Sequence, residues 1–164
     1  MDRRAFLKSA IATGLSILAT SFTRRDVRAT EPSEVFEIKK TDNEWRSLLT
    51  PEQYHVLREE GTDPPFKNAY YKNKTPGVYL CAGCDLPLFS SDAKYDSHTG
   101  WPSFWKPVSE PAVRTKTDWK LLYPRTEVHC GRCGGHLGHI FDDGPPPTYL
   151  RYCINSAALK FVPS

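Results

Sequence analysis

The chain has 164 residues, enough for one domain with a proper core and too few for two once a targeting segment is set aside. Its formal charge is +3, but residues 1–29 hold six Lys/Arg and two Asp, a net of +4 that leaves the remainder near −1. The basic excess therefore sits at the N-terminal end, and the rest of the chain gives no reason to invoke nucleic acid as a partner.

The first residues, "MDRRAFLKSAIATGLSILAT", place a charged start before an apolar stretch over 10–19. That stretch is shorter than the roughly 20 residues needed to span a bilayer, so it reads as a signal peptide and not as a stable membrane anchor. Arg3-Arg4 followed by Ala5-Phe6-Leu7-Lys8 resembles the twin-arginine export signal. Val27-Arg28-Ala29 offers a small-x-small cleavage site behind the polar "TRRDVR". The expected organisation is a leader over 1–29 and a domain over 30–164, exported to the periplasm.

Residues 30–40 carry no periodic pattern and read as an extended entry segment. A short helix is expected over 42–48. In "LTPEQYHVLREEG" the helix signals are dense: Thr50 as N-cap, Pro51 in the first helical position and Gln53 to complete a capping box. Leu49 and Tyr54 are spaced for a hydrophobic staple, Glu52 suits the positive end of the helix dipole, and Gly61 is the expected stop.

Beyond "GTDPPF" the pattern changes to short β segments punctuated by Pro, Gly and Asp. Candidate strands cover 77–80, 87–90, 112–116, 125–129, 137–141 and 150–162. The 14 prolines interrupt strands and favour a loop-rich β architecture. The expected fold class is α+β and mainly β: two small antiparallel sheets with helices at the N-terminal side.

Four of the five cysteines form two pairs, Cys81 and Cys84 in "CAGC" and Cys130 and Cys133 in "CGRC". A Cys-x-x-Cys turn presents two sulfurs that converge, and two such turns supply the four thiolates that tetrahedral zinc takes at about 2.3 Å. Gly83, Gly131, Gly134 and Gly135 are expected to allow the tight turns. The pairs are 45 residues apart (85–129), so one structural Zn2+ would clamp two distant hairpins and leave no open position for catalysis. Disulfides, or a redox-active Cys-x-x-Cys, are the rival readings. Twin-arginine export favours zinc, because that route resembles one carrying proteins already folded, with metal loaded in a reducing compartment.

Cys153 in "LRYCINSAAL" stands alone. On a strand, Arg151, Cys153 and Asn155 share one face and Leu150, Tyr152 and Ile154 the other. The apolar face belongs to the core. The polar face sets a thiol beside a cation, which lowers its pKa, and beside an amide that can orient a partner. A buried inert cysteine is the alternative. In "HCGRCGGHLGHIFDDG", His136 and His139 are candidate proton donors, and both reach one site only if the strand bulges, which Gly138 permits. Trp101, Phe104 and Trp105 in "HTGWPSFWKP" form an aromatic group that either fills the core or makes a pocket for a sulfur-bearing apolar group.

"KYDSHTGWPSF", "RTEVHCGRCGGHLGHIFDDGPPPT" and "LRYCINSAALKF", with the first Cys-x-x-Cys, closely resemble the R-specific methionine sulfoxide reductases, the MsrB family. The resemblance runs from about residue 42 to 163. It implies that Cys153 attacks the sulfoxide sulfur of methionine-R-sulfoxide, free or in a protein, giving methionine and a sulfenic acid. It further implies that His139 serves the departing oxygen, that His136 and Asn155 organise the site and that Trp101 holds the methyl group, with Phe104 and Arg151 beside the substrate. The family fold, two antiparallel sheets forming a tent-like barrel, agrees with the coarse reading. One departure matters: many members carry a resolving cysteine where this chain has Thr99, and the five cysteines leave none spare beyond the four candidate ligands and Cys153. The implied reductant is therefore an external thiol, thioredoxin-like or small, acting on a monomer. A zinc-stabilised binding module with a dead site and a disulfide oxidoreductase are the competing functions.

Overall fold

A computed structural model describes residues 34–164, so the leader expected over 1–29 and the cleavage site expected at its end lie outside the described residues. Helix α1 (Asp42–Leu48) starts at Thr41, whose side chain accepts from the Glu44 N–H while Glu44 accepts from the Thr41 N–H at 2.7 Å. Helix α2 (Pro51–Glu59) repeats the device with Thr50 and Gln53, and Leu49 and Tyr54 are both buried, as a staple requires. Helices of 7 and 9 residues do not persist alone in water. Trp45, Tyr54, Val56 and Leu57 are buried in the core, each worth roughly 1.5–3 kcal/mol, and that packing holds them. The helix stop differs from expectation. The left-handed residue is Glu60 (φ 54°), and Gly61 follows it, donating its N–H to His55 O at 2.9 Å. Glu60 is tied by its carboxylate to Lys116 and Lys120 on the facing hairpin.

Nine strands follow: β1 (Gly77–Cys81), β2 (Pro87–Ser90), β3 (Lys94–Tyr95), β4 (Ser103–Phe104), β5 (Val113–Asp118), β6 (Arg125–Cys130), β7 (His136–Phe141), β8 (Arg151–Ile154) and β9 (Leu159–Pro163). They form two antiparallel sheets, one of three strands in the order β2-β1-β9 and one of six in the order β3-β4-β8-β7-β6-β5. The mainly β fold with two N-terminal helices is thus present, but no closed barrel forms among the described residues. The reason lies in the run 150–162, expected as one strand. It breaks at Asn155 into a 3-10 turn (Ser156–Ala158), which sends β8 to the larger sheet and β9 to the smaller.

Strands β3 and β4 are two residues each and leave no periodic trace in the sequence. They matter because β4 puts Phe104 in the core, where its ring stacks on Phe89 (centroids 4.4 Å, 17°) and meets Tyr79 edge-on at 5.1 Å. α2 packs against β7 and the 3-10 turn, so the helices brace the two segments that carry the site.

Candidate active site and metal centre

Cys81 ends β1 and Cys130 ends β6, so the two Cys-x-x-Cys turns hang from different sheets. Each turn is closed by a backbone bond, Asp85 N–H to Cys81 O and Gly134 N–H to Cys130 O, both 2.9 Å. The left-handed positions are Asp85 (φ 56°) and Gly134 (φ 67°); Gly83 is not needed for its conformation. The four sulfurs lie within 4.8 Å of one another, with Cys81 to Cys133 at 3.7 Å and Cys84 to Cys130 at 3.5 Å. A tetrahedron of sulfurs about 2.3 Å from zinc has edges of about 3.8 Å, so the donor set fits. These two approaches each join one pair to the other, which gathers all four sulfurs about one point. Among the described residues no other group of three or more His, Cys, Asp or Glu converges in this way.

Cys153 lies on β8, between β4 and β7, and in register it faces Ser103 on one side and His139 on the other. Directly paired residues share a face, so the register alone sets His139 beside the thiol. The β6–β7 ladder pairs Val128 with Gly138 and His129 with His136, leaving Leu137 as an extra residue. That bulge brings His136 and His139 to one side, their rings 5.5 Å apart. Gly138 is needed here because a Cβ would fall 2.0 Å from Cys153 O. Cys153, His139, Asn155, Trp101, Arg125, Phe141 and Thr62 line a cleft of about 130 Å³.

Residues 49–163 match the SelR domain family. The chain is 55% identical over 126 residues to a peptide methionine sulfoxide reductase MsrB of Leptospira interrogans, covering 77% of this chain and 96% of that one. It is 53% identical over 127 residues to the MsrB of Agrobacterium fabrum, covering 77% and 94%. To the chloroplastic peptide methionine sulfoxide reductase B1 of Arabidopsis thaliana it is 51% identical over 137 residues, covering 79% and 67%. The chain belongs to the MsrB family of peptide methionine sulfoxide reductases. The family reaction is methionine sulfoxide reduction, an oxidoreductase chemistry, and the cleft is where this MsrB chain carries its candidate groups.

Not every predicted residue reaches that cleft. Phe104 is fully buried in the aromatic core and does not line it, which corrects the expectation of a substrate contact. His136 is buried behind His139, its Nδ1 3.0 Å from Glu127 Oε1. Arg151 is buried as well and is engaged by both oxygens of Asp143, at 2.7 and 2.9 Å, with its guanidinium 4.2 Å from the Phe141 ring centroid. Asn155 is held at both ends of its amide: its Nδ2 donates to Leu137 O (3.1 Å) and its Oδ1 accepts from Asp63 N–H (3.1 Å). Asp63 O in turn accepts from Trp101 Nε1 at 3.0 Å. Asn155 thus fixes the wall that positions Trp101, and of the two N–H donors on its amide one is committed to Leu137 O.

Sequence reading missed Asp118 and Arg125. Asp118 Oδ2 accepts from His139 Nε2 at 2.8 Å and from Arg125 Nη2 at 2.6 Å, and its Oδ1 accepts from Lys120 N–H at 2.8 Å. Burial opposes the charge, but those bonds outweigh it and hold the Asp118 carboxyl well below the usual carboxylate range. His139 is pushed below the ordinary imidazole value, chiefly by burial, with the Asp118 bond pulling the other way. The expectation for Cys153 is corrected too. Burial pushes its thiol up, and Thr99 and Arg151 only offset part of that. Thr99 Oγ1 stands 3.9 Å from Cys153 Sγ, and a chain of hydroxyls continues from it through Ser97 (2.9 Å) to Ser103 (2.7 Å) and the Trp101 carbonyl (3.3 Å). Nothing local in the sequence marks Asp118, which stands in "KTDWKLL" with no motif around it.

Proposed function

We propose that this chain reduces the R epimer of methionine sulfoxide, in proteins or free, through Cys153. The observation that carries the reading is the pairing of the single cysteine outside the metal group with His139 in the cleft that Trp101 also lines. The sulfur of Cys153 attacks the sulfoxide sulfur to form a transient S–S bond; the protonated oxygen then passes from the substrate sulfur to Cys153 as the S–O and S–S bonds break, leaving a sulfenic acid on Cys153 and releasing the substrate as the thioether. Overall one thiol and one sulfoxide give one sulfenic acid and one methionine, with no net proton change. A carboxylate only accepts, so Asp118 keeps the proton on His139 Nε2, and Nδ1 is the atom that takes up and returns a second proton as the oxygen departs. Trp101 offers its ring to the methyl group.

Regeneration proceeds through an external thiol. The thiol attacks the sulfenic acid sulfur and releases water, and a second thiol breaks the mixed disulfide, restoring Cys153. Support comes from Thr99, which occupies the place beside the sulfur with a hydroxyl and so gives no partner for an internal disulfide. A structural zinc ion held by Cys81, Cys84, Cys130 and Cys133 would clamp the two sheets, with no part in the reaction. The leader reading adds export by the twin-arginine route to the periplasm, and the enzyme acts as a monomer. No helix among the described residues is long and apolar enough to cross a membrane.

The test is turnover of separate R and S epimers of a methionine sulfoxide peptide with dithiothreitol, beside Cys153→Ser. Turnover of R alone, lost in the variant, supports the reading. Turnover that survives in Cys153→Ser, or that favours S, overturns it.

A further inference from the structure

The hairpin that carries Asp118 and Arg125 at its two ends closes over residues 119–124, "WKLLYP", of which 119–123 hold the large side chains. Trp119 is 72% exposed, Leu122 is fully exposed, and Leu121 and Tyr123 stand out as well. Four large apolar side chains in five residues is a cluster, not the scatter normal for a surface. The loop is not loosely hung: the 2.6 Å bond between Asp118 and Arg125 pins its base, and the Lys120 N–H bond to Asp118 turns its first step. An exposed apolar cluster on a pinned base loses little conformational freedom on contact, which suits it to a partner.

Beside the loop runs a groove of about 420 Å³ lined by Tyr123, Arg125, Ile140, Phe141 and Leu150. Arg125 and Phe141 line the cleft as well, so the groove adjoins the cleft across those two side chains. A methionine sulfoxide that enters the cleft from within a polypeptide brings its neighbours with it, and the cleft, at about 130 Å³, has room for one side chain. The neighbouring residues must leave along a surface that joins it.

We infer that the 119–123 loop and the adjoining groove form a docking surface for the extended polypeptide that flanks methionine sulfoxide, with apolar flanking side chains as its ligand. The inference rests on the reductase reading. Apolar side chains on both partners leave water when they meet, so the surface favours sulfoxides with apolar neighbours over those with polar ones. The charged groups at the groove, Arg125 and Asp142, hold the edge while the rings and aliphatic side chains supply the contact.

The experiment uses the full chain and the double variant Trp119→Ser/Leu122→Ser, with Trp119→Phe/Leu122→Ile as the conservative control. Three substrates are compared: free methionine sulfoxide, a peptide with Leu and Phe around the sulfoxide, and a peptide with Gly and Ser there. The double variant is expected to lose about tenfold in kcat/KM on the apolar peptide, with the other two substrates unchanged and the conservative control restored. Equal loss on all three would overturn the inference by making the loop a prop for Asp118 and Arg125, and no loss on any would overturn it directly. A second arm measures anisotropy of the labelled apolar peptide on Cys153→Ser, with and without the loop changes. Binding that weakens with the loop changes supports docking even if the reductase reading itself fails for want of turnover. Sedimentation of a dimer that the double variant dissociates, or binding to phosphatidylglycerol vesicles in place of the peptide, would assign the surface to another occupant and overturn the inference.

Discussion

Asp118 Oδ2 accepts from His139 Nε2 at 2.8 Å while Arg125 Nη2 approaches the same oxygen at 2.6 Å, so one carboxylate orients the histidine and anchors a cleft-lining cation. Asp118→Asn keeps the shape but removes the charge. The expected result is a fall in kcat/KM of about 10- to 100-fold, a part of the 10²- to 10⁴-fold that positioned proton transfer supplies. The amide also withdraws the influence that raises the His139 pKa, so the acid limb of the rate profile should move to lower pH. Steady-state kinetics across pH on both proteins checks this, and an unchanged acid limb would count against His139 as the titrating group.

Burial sets the width of that profile. Thiolate with imidazolium and thiol with neutral imidazole hold the same protons, so the rate follows the singly protonated pair. Activity is lost on the acid side when both are protonated and on the alkaline side when both are bare. His139 is lowered from 6.5 and Cys153 raised from 9.0, so kcat/KM should plateau across both values, falling below the first and above the second. A profile that breaks between pH 6.5 and 9.0 would contradict the buried, unactivated thiol.

The hydroxyl chain beside Cys153 makes a separate prediction. With the thiol protonated, S–H points to Thr99 and each hydroxyl donates onward, ending on the Trp101 carbonyl. With a thiolate the chain must reverse so that Thr99 donates to sulfur. Thr99→Val preserves volume and removes the donor. It should move the alkaline limb upward and lower kcat/KM by about threefold to tenfold, with Thr99→Ser restoring both. Iodoacetamide alkylation of Cys153 followed against pH reads the shift independently of turnover.

Metal removal should reach the fold before the chemistry. The candidate ligands come from β1 in one sheet and β6 in the other, so losing the ion uncouples the sheets and leaves three buried thiols and the half-buried Cys84 in contact. Purified protein should carry one zinc per chain. Chelation or Cys130→Ser should cost several kcal/mol, a large share of the roughly 5–15 kcal/mol that stabilises a domain. Elemental analysis with denaturant titration checks both points, and a fully folded, active, metal-free protein would refute the clamp.

Phe104 separates packing from binding. Its ring lies between Phe89 and Tyr79 with no exposure, so Phe104→Ala should destabilise by about 3–5 kcal/mol. Phe104→Leu, which fills most of the volume, should leave KM for the sulfoxide unchanged. A raised KM in a stably folded Phe104→Leu would return the ring to the substrate.

Local chemistry was legible in the residues themselves. The capping box at Thr50/Gln53, the paired Cys-x-x-Cys turns and the arithmetic that isolates Cys153 were read from short spacings and counts in the sequence. The motifs of the family, read together, pointed to the reaction. Where a residue's role depends on register or on a distant partner, spacing says nothing. The β7–β8 register decides that His139 faces Cys153, the β6–β7 bulge at Leu137 decides that His136 joins it on that side, and the β5–β6 hairpin decides that Asp118 meets His139. The break at Asn155 decides that the last run serves two sheets and that no barrel closes. Two-residue strands carry Phe104 inward, and burial reverses the pKa shift that a neighbouring arginine suggested for Cys153. Desolvation and cross-strand pairing are properties of the packed chain, and they come into being only when segments remote in sequence are brought together.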